Sequence, residues 1–404
     1  LNWDLVFELR IFMFTPQPFP SLIKYMGSKT KIIDFIIDGI NFVHQKDGPV
    51  IDLFAGSASL AGAIGKQCNF VSNDIQEYSK ILSQTYLVNL ASKDIPALDE
   101  IYQKTLAIVK SNIKQEYIVN YSDLKNIDEF NSLEEKQKDL INQNLDYPYH
   151  LFAKNYSGTW WSYEQCLWID ALRQVADDYK NKPLYPIFLA SLMYAMAYCS
   201  QGTGHYAQYR DAKTNSSFND ICIYRKKEVF KFFSKKINEL CEFSLENSNQ
   251  FKSIFLSKDF KDALDIFEGG TIYADPPYCF VHYSRFYHAL ETLVLYDYPE
   301  IQKKNNVIVK GRYREERHQS PFCIKTKVEG AFLNMFKGVK NTESQLALSY
   351  SNTGMISLEI MMEIASSVWD SSNIEILTTD HQHMTLGRQG TRYRDVKECL
   401  LLVK

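Results

Sequence analysis

The amino-terminal part of the chain alternates between short apolar runs and stretches in which apolar residues recur at helical spacing. Such spacing over Lys29–Val43 predicts a helix. A strand is predicted at Val50–Phe54, which runs into the small residues Ala55–Ser59, and a second predicted strand, Asn69–Asp74, ends in an acid. We expect a helix after each of these strands. The order strand, glycine turn, helix, strand, acid is typical of the start of a nucleotide-binding α/β domain.

The middle and the last third of the chain differ in pattern. Residues 92–248 are rich in predicted helices, and the apolar run Leu184–Cys199, which is short for a membrane span, predicts a buried helix. Strands alternate with helices again at Ser253–Leu256, Gly270–Ala274, Asn306–Val309, Gln345–Tyr350 and Ile374–Leu377. These patterns predict one α/β domain at residues 21–95 and 250–404, interrupted by a helical insertion at residues 96–249 and preceded by an arm at residues 1–20.

Charge is distributed unevenly along the 404 residues. The net charge of −3 excludes a uniformly basic protein. However, residues 303–340 hold ten Lys/Arg and three Asp/Glu, a local charge of +7, and residues 205–237 hold eight and three, a local charge of +5. This asymmetry fits a surface that faces a polyanion. Neutralisation of the basic stretches by acidic ones in the folded protein explains it equally well, so charge alone does not decide.

The eight cysteines are scattered, without a C-x-x-C pair or a Cys/His cluster, so no metal site is expected. Thiols distributed in this way are typical of a reducing cytosol. The apolar start of the chain carries Asp4 and Glu8, so we expect neither a signal peptide nor a membrane anchor. Aromatic residues make up 14% of the chain, and they can fill a core, stack on a ligand or stack on bases.

The most specific motif is Tyr273-Ala-Asp-Pro-Pro-Tyr278, which follows a predicted strand. Ligands of open α/β sheets bind at the carboxyl ends of strands. Pro276 and Pro277 lack an N–H and have a fixed φ, so the loop is stiff and presents acceptors, with the Asp275 carboxylate beside the Tyr278 ring. Acceptors next to an aromatic plate suit a planar ring that carries an amine, such as adenine. The alternative is an ordinary proline turn.

Two further segments carry weaker signals. Gly56, in the turn Asp52–Ser59, allows a ligand to approach the backbone closely, and an acid placed like Asp74 is of the type that binds a ribose diol. The segment Lys24–Lys29 (K-Y-M-G-S-K) precedes the first predicted helix. An ordinary βαβ turn explains the first segment as well, and a capped helix start explains the second.

In combination, these segments resemble the Dam-like (alpha-group) DNA adenine-N6 methyltransferases, which use S-adenosylmethionine. The order of K-Y-x-G-x-K, glycine turn, long insertion and D-P-P-Y is similar to that of the group, over about Ile23–Tyr78 and from Phe255 onward. The resemblance implies a Rossmann-like methyltransferase sheet with a helical target-recognition insertion. One departure is Ala58, which stands where the group usually has the second glycine of F-x-G-x-G.

The resemblance also implies roles for individual residues. The residues that would hold S-adenosylmethionine are Tyr25, Gly27, Lys29, Asp52, Phe54, Ala55, Gly56, Asp74 and Asp259. Those that would bind and activate the flipped adenine are Asp275, Pro276, Pro277 and Tyr278. In this assignment Asp74 binds the ribose hydroxyls and Asp259 binds the adenine amine of the cofactor, although a helix N-cap is an equal alternative for Asp259. No metal is required, because the methyl donor is already activated.

Four arginines are candidates for binding phosphates or guanine edges: Arg210, Arg312, Arg314 and Arg317. The alternative for those after the D-P-P-Y motif is a solvated salt bridge to Glu315 or Glu316.

Three aromatic or polar segments have open roles. Trp160 and Trp161 are more typical of a core than of a platform for bases. Tyr283–Tyr287 either flanks the flipped base or starts a packed helix, and Ser349–Ser351, at the end of a predicted strand, is a candidate for lining the base pocket.

We therefore predict a site-specific methyltransferase for double-stranded DNA, with a cognate restriction endonuclease as a candidate partner and the bacterial cytoplasm, at the nucleoid, as its location. An amino-methyltransferase for RNA or another planar amine and a non-catalytic DNA-binding module are the alternatives. The intact D-P-P-Y motif argues against a non-catalytic module, and the basic segments with the long insertion favour a duplex.

Overall fold

The structure is a computed structural model. It describes residues 14–45, 47–202, 204–278, 280, 282–351, 354–384 and 393–404. Of the predicted arm at residues 1–20, the first 13 residues lie outside the described part, and so does Thr203 in the insertion.

The strands form one large sheet and one small hairpin. In chain order, they are β1 (Val50–Asp52), β2 (Phe70–Asn73), β3 (Ser253–Leu256), β4 (Thr271–Ala274), β5 (Lys303–Lys304), β6 (Val307–Ile308), β7 (Gln345–Ser351), β8 (Ile374–Met384) and β9 (Tyr393–Val403). The large sheet has the order β3-β2-β1-β4-β7-β9-β8. The pairs from β3 to β7 are parallel, whereas β9 lies antiparallel between β7 and β8. The α/β class predicted from the sequence is confirmed.

Helices pack on both faces of the sheet. In chain order, they are α1 (Ile33–Val43), α2 (Ser59–Ile64), α3 (Glu77–Leu87), α4 (Leu98–Asn112), α5 (Ile127–Lys138), α6 (Leu151–Tyr156), α7 (Tyr163–Ala176), α8 (Leu184–Cys199), α9 (Asn215–Arg225), α10 (Val229–Glu246), α11 (Phe260–Leu264), α12 (Tyr283–Phe286), α13 (His288–Leu295), α14 (Val328–Asn341) and α15 (Leu358–Ser366). The predicted helices around Lys29–Val43 and Leu184–Cys199 are confirmed.

The two faces of the sheet belong to two separate apolar cores, because successive side chains of a strand point in opposite directions. Val50 and Leu400 point toward α1 and the insertion, whereas their neighbours Ile51 and Leu401 point toward α14. The core on the α1 side continues without a break into the helices of the insertion. The insertion is therefore packed onto one face of the sheet.

The centre of the insertion is a densely aromatic, fully buried core. The α8 helix is apolar on all sides, since it packs against α3, α7 and α10 at once. Trp160 and Trp161 have no exposed surface, so their predicted core position is confirmed. Asp170 accepts hydrogen bonds from the backbone N–H groups of Phe152 and Ala153, at 2.9 and 2.8 Å, and thereby caps α6.

The strand predicted at Asn306–Val309 is confirmed as β6 (Val307–Ile308), but its expected place in the α/β domain's sheet is wrong. These residues belong to the small antiparallel hairpin β5–β6, whose turn residues Asn305 and Asn306 both have positive φ. Two consecutive asparagines with positive φ favour a tight hairpin turn. Val307 is 68% exposed, so the short apolar run does not mark a buried strand here.

Candidate active site

The order of strands brings the two main motifs together. From β1, the chain adds β2 and then β3 toward one edge of the sheet. It then returns to the other side of β1, where it adds β4 and β7, so the direction reverses between β1 and β4. Ligands of open α/β sheets bind at such a reversal, beyond the carboxyl ends of the strands. Leu53, directly after β1, donates its N–H to the carbonyl of Tyr273 in β4 at 2.9 Å. The glycine turn and the D-P-P-Y loop therefore begin side by side.

A cavity of about 330 Å³ opens at this edge of the sheet. It is lined by all the residues for which a cofactor or base role is predicted: Tyr25, Gly27, Lys29, Asp52, Phe54, Ala55, Gly56, Asp74, Asp259, Asp275, Pro276, Pro277 and Tyr278. Ser351, at the end of β7, lines it as well. The structure thus brings these side chains into one site, while their individual roles stay predictions.

The glycine turn is shaped by two residues with positive φ. Gly56 has a φ of 53°, and a Cβ atom placed on it would lie 3.0 Å from the Tyr25 hydroxyl, so both the conformation and the space favour glycine. Ala58 has a φ of 60° and directly precedes α2. The left-handed conformation of Ala58 explains why a glycine is usual at this position of the motif.

The acid after β2 holds the glycine turn in place. The Asp74 carboxylate accepts the N–H groups of Gly56 and Gln76, each at 2.9 Å. Burial raises its pKa, and these backbone donors oppose the shift. Because each carboxylate oxygen can accept more than one hydrogen bond, Asp74 retains acceptor capacity for a diol on the cavity side.

The cavity is suited to a positively charged ligand. The Asp52 carboxylate is 2% exposed, and its Oδ1 atom has no hydrogen-bond partner among the described residues. Burial, followed by the nearby carboxylates of Asp275 and Asp74, raises the pKa of Asp52 well above its usual range. A cation at this position would give Oδ1 a partner and would favour the ionised carboxylate.

Two tyrosines of the cavity wall, Tyr25 and Tyr283, belong to a stack of aromatic rings. The ring of Tyr25 stacks on that of Tyr287, with centroids 4.6 Å apart, and on that of Tyr283 at 5.6 Å. Gly27 has a φ of 78°, and a Cβ atom there would lie 2.9 Å from the Tyr283 hydroxyl. The K-Y-M-G-S-K segment is therefore fixed against α12 and α13, which directly follow the D-P-P-Y loop.

A buried lysine connects the D-P-P-Y loop to the last strand. The Lys29 Nζ atom lies 3.3 Å from Asp275 Oδ1, 3.3 Å from Glu398 Oε2 and 3.0 Å from the Tyr278 hydroxyl. Burial alone would lower the pKa of Lys29, but Asp275 and Glu398 outweigh that effect and keep it above its usual range. Lys29 therefore stays protonated and stabilises the ionised form of Asp275.

Glu398 is a site residue that the sequence analysis missed. It lies in β9, its side chain is 1% exposed, and it accepts a hydrogen bond from the Tyr278 hydroxyl at 3.4 Å. It is more than 100 residues from the D-P-P-Y motif, and only the pairing of β9 with β7 brings it there. Its one signal in the sequence is an acid directly before the apolar run Cys399–Val403.

The D-P-P-Y loop is further fixed by contacts with its surroundings. The Cys323 thiol donates to the carbonyl of Pro277 at 3.1 Å, and the N–H of Met355 donates to the carbonyl of Tyr278 at 3.0 Å. The ring of Tyr278 packs against that of Tyr350, with centroids 5.1 Å apart. These contacts make the loop a preorganised platform.

Asp259 is both a helix cap and a residue of the cavity wall, which were the two alternatives for it. It is the N-cap of α11, since its carboxylate accepts the N–H of Lys261 at 3.1 Å, and it also lines the cavity. The alternative of a helix cap is therefore confirmed as geometry, and contact with a cofactor stays a prediction.

The four candidate DNA-binding arginines have different environments. Arg210 is exposed and forms an ion pair with Asp220. Arg312 is 6% exposed, and its guanidinium donates to the carbonyls of Asn155 and Lys138 at 2.5 and 2.9 Å. Arg312 thus joins the segment after the D-P-P-Y loop to the insertion, and its placement does not favour a contact with DNA.

Arg314 and Arg317 do not pair with Glu315 or Glu316 in the structure. Arg314 forms a bidentate ion pair with Asp297, at 2.7 and 2.6 Å. Arg317 is half-buried and donates only to the side-chain carbonyl of Gln302, at 3.4 Å, among the described residues. Arg317 therefore keeps unused donors, whereas Arg314 is occupied.

Two structural findings concern other site classes. Within the described ranges, no cluster of three or more His, Cys, Asp or Glu side chains is placed to hold a metal ion. Among the helices that the structure describes, none is long and apolar enough to cross a membrane.

The strand order, with one antiparallel strand near the end of a parallel sheet, and a cavity at the sheet reversal define the fold of the S-adenosylmethionine-dependent methyltransferases. The chain belongs to the D12 class N6 adenine-specific DNA methyltransferase family, whose profile matches residues 25–344.

Relatives of the chain are bacterial modification enzymes. The chain is 24% identical over 381 residues to "Modification methylase LlaI" of Lactococcus lactis subsp. lactis, which covers 91% of this chain and 52% of the relative. It is 25% identical to "Type II methyltransferase M.FokI" of Planomicrobium okeanokoites, with 85% and 47% covered, and 23% identical to "Type II methyltransferase M.NlaIII" of Neisseria lactamica, with 84% and 86% covered. The chain thus spans about half the length of the first two relatives.

Proposed function

We propose that this protein transfers the methyl group of S-adenosylmethionine to the N6 amine of an adenine that is flipped out of double-stranded DNA. The observation that carries the proposal is the shared cavity, in which the D-P-P-Y loop faces a glycine turn and an unpartnered carboxylate, Asp52. Family membership supports the same reaction.

The residues that would hold the cofactor lie along the carboxyl ends of β1 and β2. Asp74 binds a diol, Gly56 admits the ligand close to the backbone, and Asp52 faces a positive charge. S-adenosylmethionine supplies an activated methyl group on a sulfonium. The stacked rings of Tyr25 and Tyr283 supply an apolar part of the wall.

The residues that would bind the adenine lie on the loop after β4. The Asp275 carboxylate accepts a hydrogen bond from the N6 amine and draws electron density toward that nitrogen, and the backbone after Asp275 accepts the second amine hydrogen. Lys29 keeps Asp275 ionised and fixes the Tyr278 hydroxyl, so the Tyr278 ring can stack on the base. Positioning and preorganised electrostatics supply most of the catalysis in this arrangement.

The biological role of the methyl transfer is inferred from the names of the relatives. They are type II modification enzymes, so we infer that this protein protects DNA in the bacterial cytoplasm, at the nucleoid, from a restriction endonuclease that cuts the same site. The helical insertion at residues 96–249 is the proposed target-recognition part, because it packs on one face of the sheet and contains the locally basic segment 205–237.

A transfer assay tests the proposal. Purified protein is incubated with methyl-labelled S-adenosylmethionine and duplex DNA of mixed sequence, and the nucleosides are separated after digestion. We expect the label in N6-methyl-2′-deoxyadenosine. Label in another base, label only when RNA replaces the duplex, or no label in any nucleic acid would contradict it.

A further inference from the structure

A cluster of cationic side chains at the rim of the cavity has no counter-ion. Arg285 of α12 and Arg317 both lie over the ring of Tyr313, with guanidinium carbons 5.1 and 5.7 Å from its centroid. No carboxylate of the described residues lies within ion-pair distance of either guanidinium. Each positive charge is thus held beside the other without compensation.

The cluster also has buried polar atoms without a hydrogen-bond partner. The Nε atom of Arg285, the Nε and Nη1 atoms of Arg317 and the Nδ1 atom of His282 are inaccessible to solvent and have no hydrogen-bond partner among the described residues. Buried polar atoms normally find a partner, and here three of the unpartnered atoms belong to two cations that also lack a counter-charge. Burial and then the proximity of Arg285 lower the pKa of Arg317, as expected for two uncompensated cations.

The position of the cluster relates it to the active site. His282, Ser284 and His318 line the cavity, so each arginine is the direct chain neighbour of a lining residue. Ser284 donates its hydroxyl to the carbonyl of His318 at 2.5 Å, which ties α12 to the segment that carries Arg317. Tyr313 is fixed in turn by a hydrogen bond to the carbonyl of Ala207. The platform under the two guanidiniums is therefore rigid.

We propose that Arg285 and Arg317 together bind one phosphodiester of DNA, next to the nucleotide whose base enters the cavity. The inference rests on the proposed function and adds a site that holds the backbone while the base turns out of the helix. Guanidinium groups bind phosphate with paired, charge-assisted hydrogen bonds, and phosphate contacts fix the register of a protein on DNA. An anion beside the two guanidinium groups would supply a counter-charge and neutralise their mutual repulsion.

The test uses Arg285→Gln, Arg317→Gln and the double variant, with DNA carrying the site identified by the transfer assay and sequencing. We expect the double variant to lose about 10- to 100-fold in DNA affinity at moderate salt. The slope of log affinity against log salt concentration should fall by about 1, as for one lost phosphate contact. S-adenosylmethionine binding should be unchanged. Lys104→Gln is the control, because Lys104 is exposed and already paired with Glu100 and Asp178.

A change on the DNA side keeps the test independent of the folding of the variants. Neutral methylphosphonates are placed one at a time around the target adenine. A methylphosphonate at one particular flanking position should lower the DNA affinity of the wild type. The same substitution should not lower the affinity of the double variant any further. The phosphate site alone would be overturned if the wild type methylates DNA but the double variant has the same salt slope and the same methylphosphonate profile as the wild type. A wild type that binds and methylates no DNA would overturn the proposed function with it.

Discussion

The cavity at the edge of the sheet and the core of the helical insertion are both rich in polar and aromatic groups, but these groups are used differently. In the cavity, Asp52 and the donors around Arg317 remain without partners, and Lys29 joins two carboxylates. In the insertion, Trp160 is enclosed by other aromatic rings, and the buried guanidinium of Arg225 is paired with Glu134. Buried atoms without a partner occur in both regions, but those of the insertion, such as Trp160 Nε1 and the Tyr206 hydroxyl, are neutral or belong to a paired charge. Charge without a counter-charge therefore marks the region where a ligand is expected.

The largest expected effect is on the chemistry of the cavity. Asp275→Ala removes the proposed acceptor of the amine hydrogens, so methyl transfer should fall by about 10³-fold. The melting temperature should change little, because Lys29 keeps its partner Glu398. Single-turnover transfer and thermal unfolding measure the two quantities. Asp262→Ala, on α11 outside the cavity, is the control. Transfer that survives in Asp275→Ala would remove this carboxylate from the mechanism.

The second prediction concerns the core of the insertion. Trp160→Ala should lower the free energy of unfolding by about 3–5 kcal/mol, because it leaves a large cavity among packed rings. Denaturant unfolding measures the loss, and Trp168→Ala, at a half-buried ring on α7, should have a smaller effect. Variant protein that is still folded at low temperature should bind S-adenosylmethionine normally. A loss of cofactor affinity without a loss of stability would contradict the distinction between the two regions.

The titration of Glu291, a buried residue of α13, gives the third prediction. It accepts the N–H groups of Glu77 and Tyr78 at 3.1 and 3.0 Å, and burial raises its pKa from 4.5 to about 7. The folded state thus binds a proton that the unfolded state releases, so stability falls as the pH rises through this window. The contribution is about 3 kcal/mol at most.

The variant Glu291→Gln should remove this part of the pH dependence. The unfolding free energies of variant and wild type are measured at pH 4.5 and pH 8. Relative to the wild type, the variant should be more stable at pH 8 than at pH 4.5. Glu100→Gln, at an exposed glutamate, should leave the profile unchanged. A difference that does not change with pH would show that Glu291 does not titrate in this window.

The fourth prediction separates structural from exposed arginines. Arg312→Met should destabilise the protein by about 2 kcal/mol, because two buried carbonyls lose their donor. Arg210→Ala should change stability by less than about 0.5 kcal/mol. Chemical unfolding and DNA binding are measured for both variants. A stable Arg312→Met variant with reduced DNA affinity would instead assign Arg312 to the DNA surface.

The smallest expected effect is at the glycine turn. Ala58→Gly relieves the left-handed conformation of Ala58, worth about 1 kcal/mol, but it also increases the freedom of the unfolded chain by a similar amount. Stability should therefore stay almost constant, whereas Ala63→Gly within α2 should cost about 1 kcal/mol. Equilibrium unfolding of the two variants tests this, and a loss in Ala58→Gly as large as that in Ala63→Gly would be inconsistent with the positive φ.

The parts of the fold that the sequence predicts are those governed by local patterns. The strand before Asp275 and the buried helix α8 follow from apolar runs, and the topology of parallel strands then places Asp275 beside Asp52. The strand β9 was not predicted, and Glu398 was missed with it, because its position depends on pairing with β7, which no local pattern encodes.

The environment of long charged side chains could not be predicted from the sequence either. The burial of Arg312 and the exposure of Arg210 depend on which backbone carbonyls and carboxylates lie within reach in the folded chain. The hairpin β5–β6 shows the same limit for a short apolar run, since Val307 is exposed although its neighbours favour a strand.

The central claim is that the cavity at the reversal of the sheet methylates adenine in DNA. Single-molecule sequencing of DNA from cells that produce the wild type, compared with cells that produce Asp275→Ala, tests it most directly. We predict N6-methyladenine at one short recognition sequence in the first DNA and none above background in the second. Absence of any methylated adenine with the wild type, or an identical pattern with the variant, would contradict the claim.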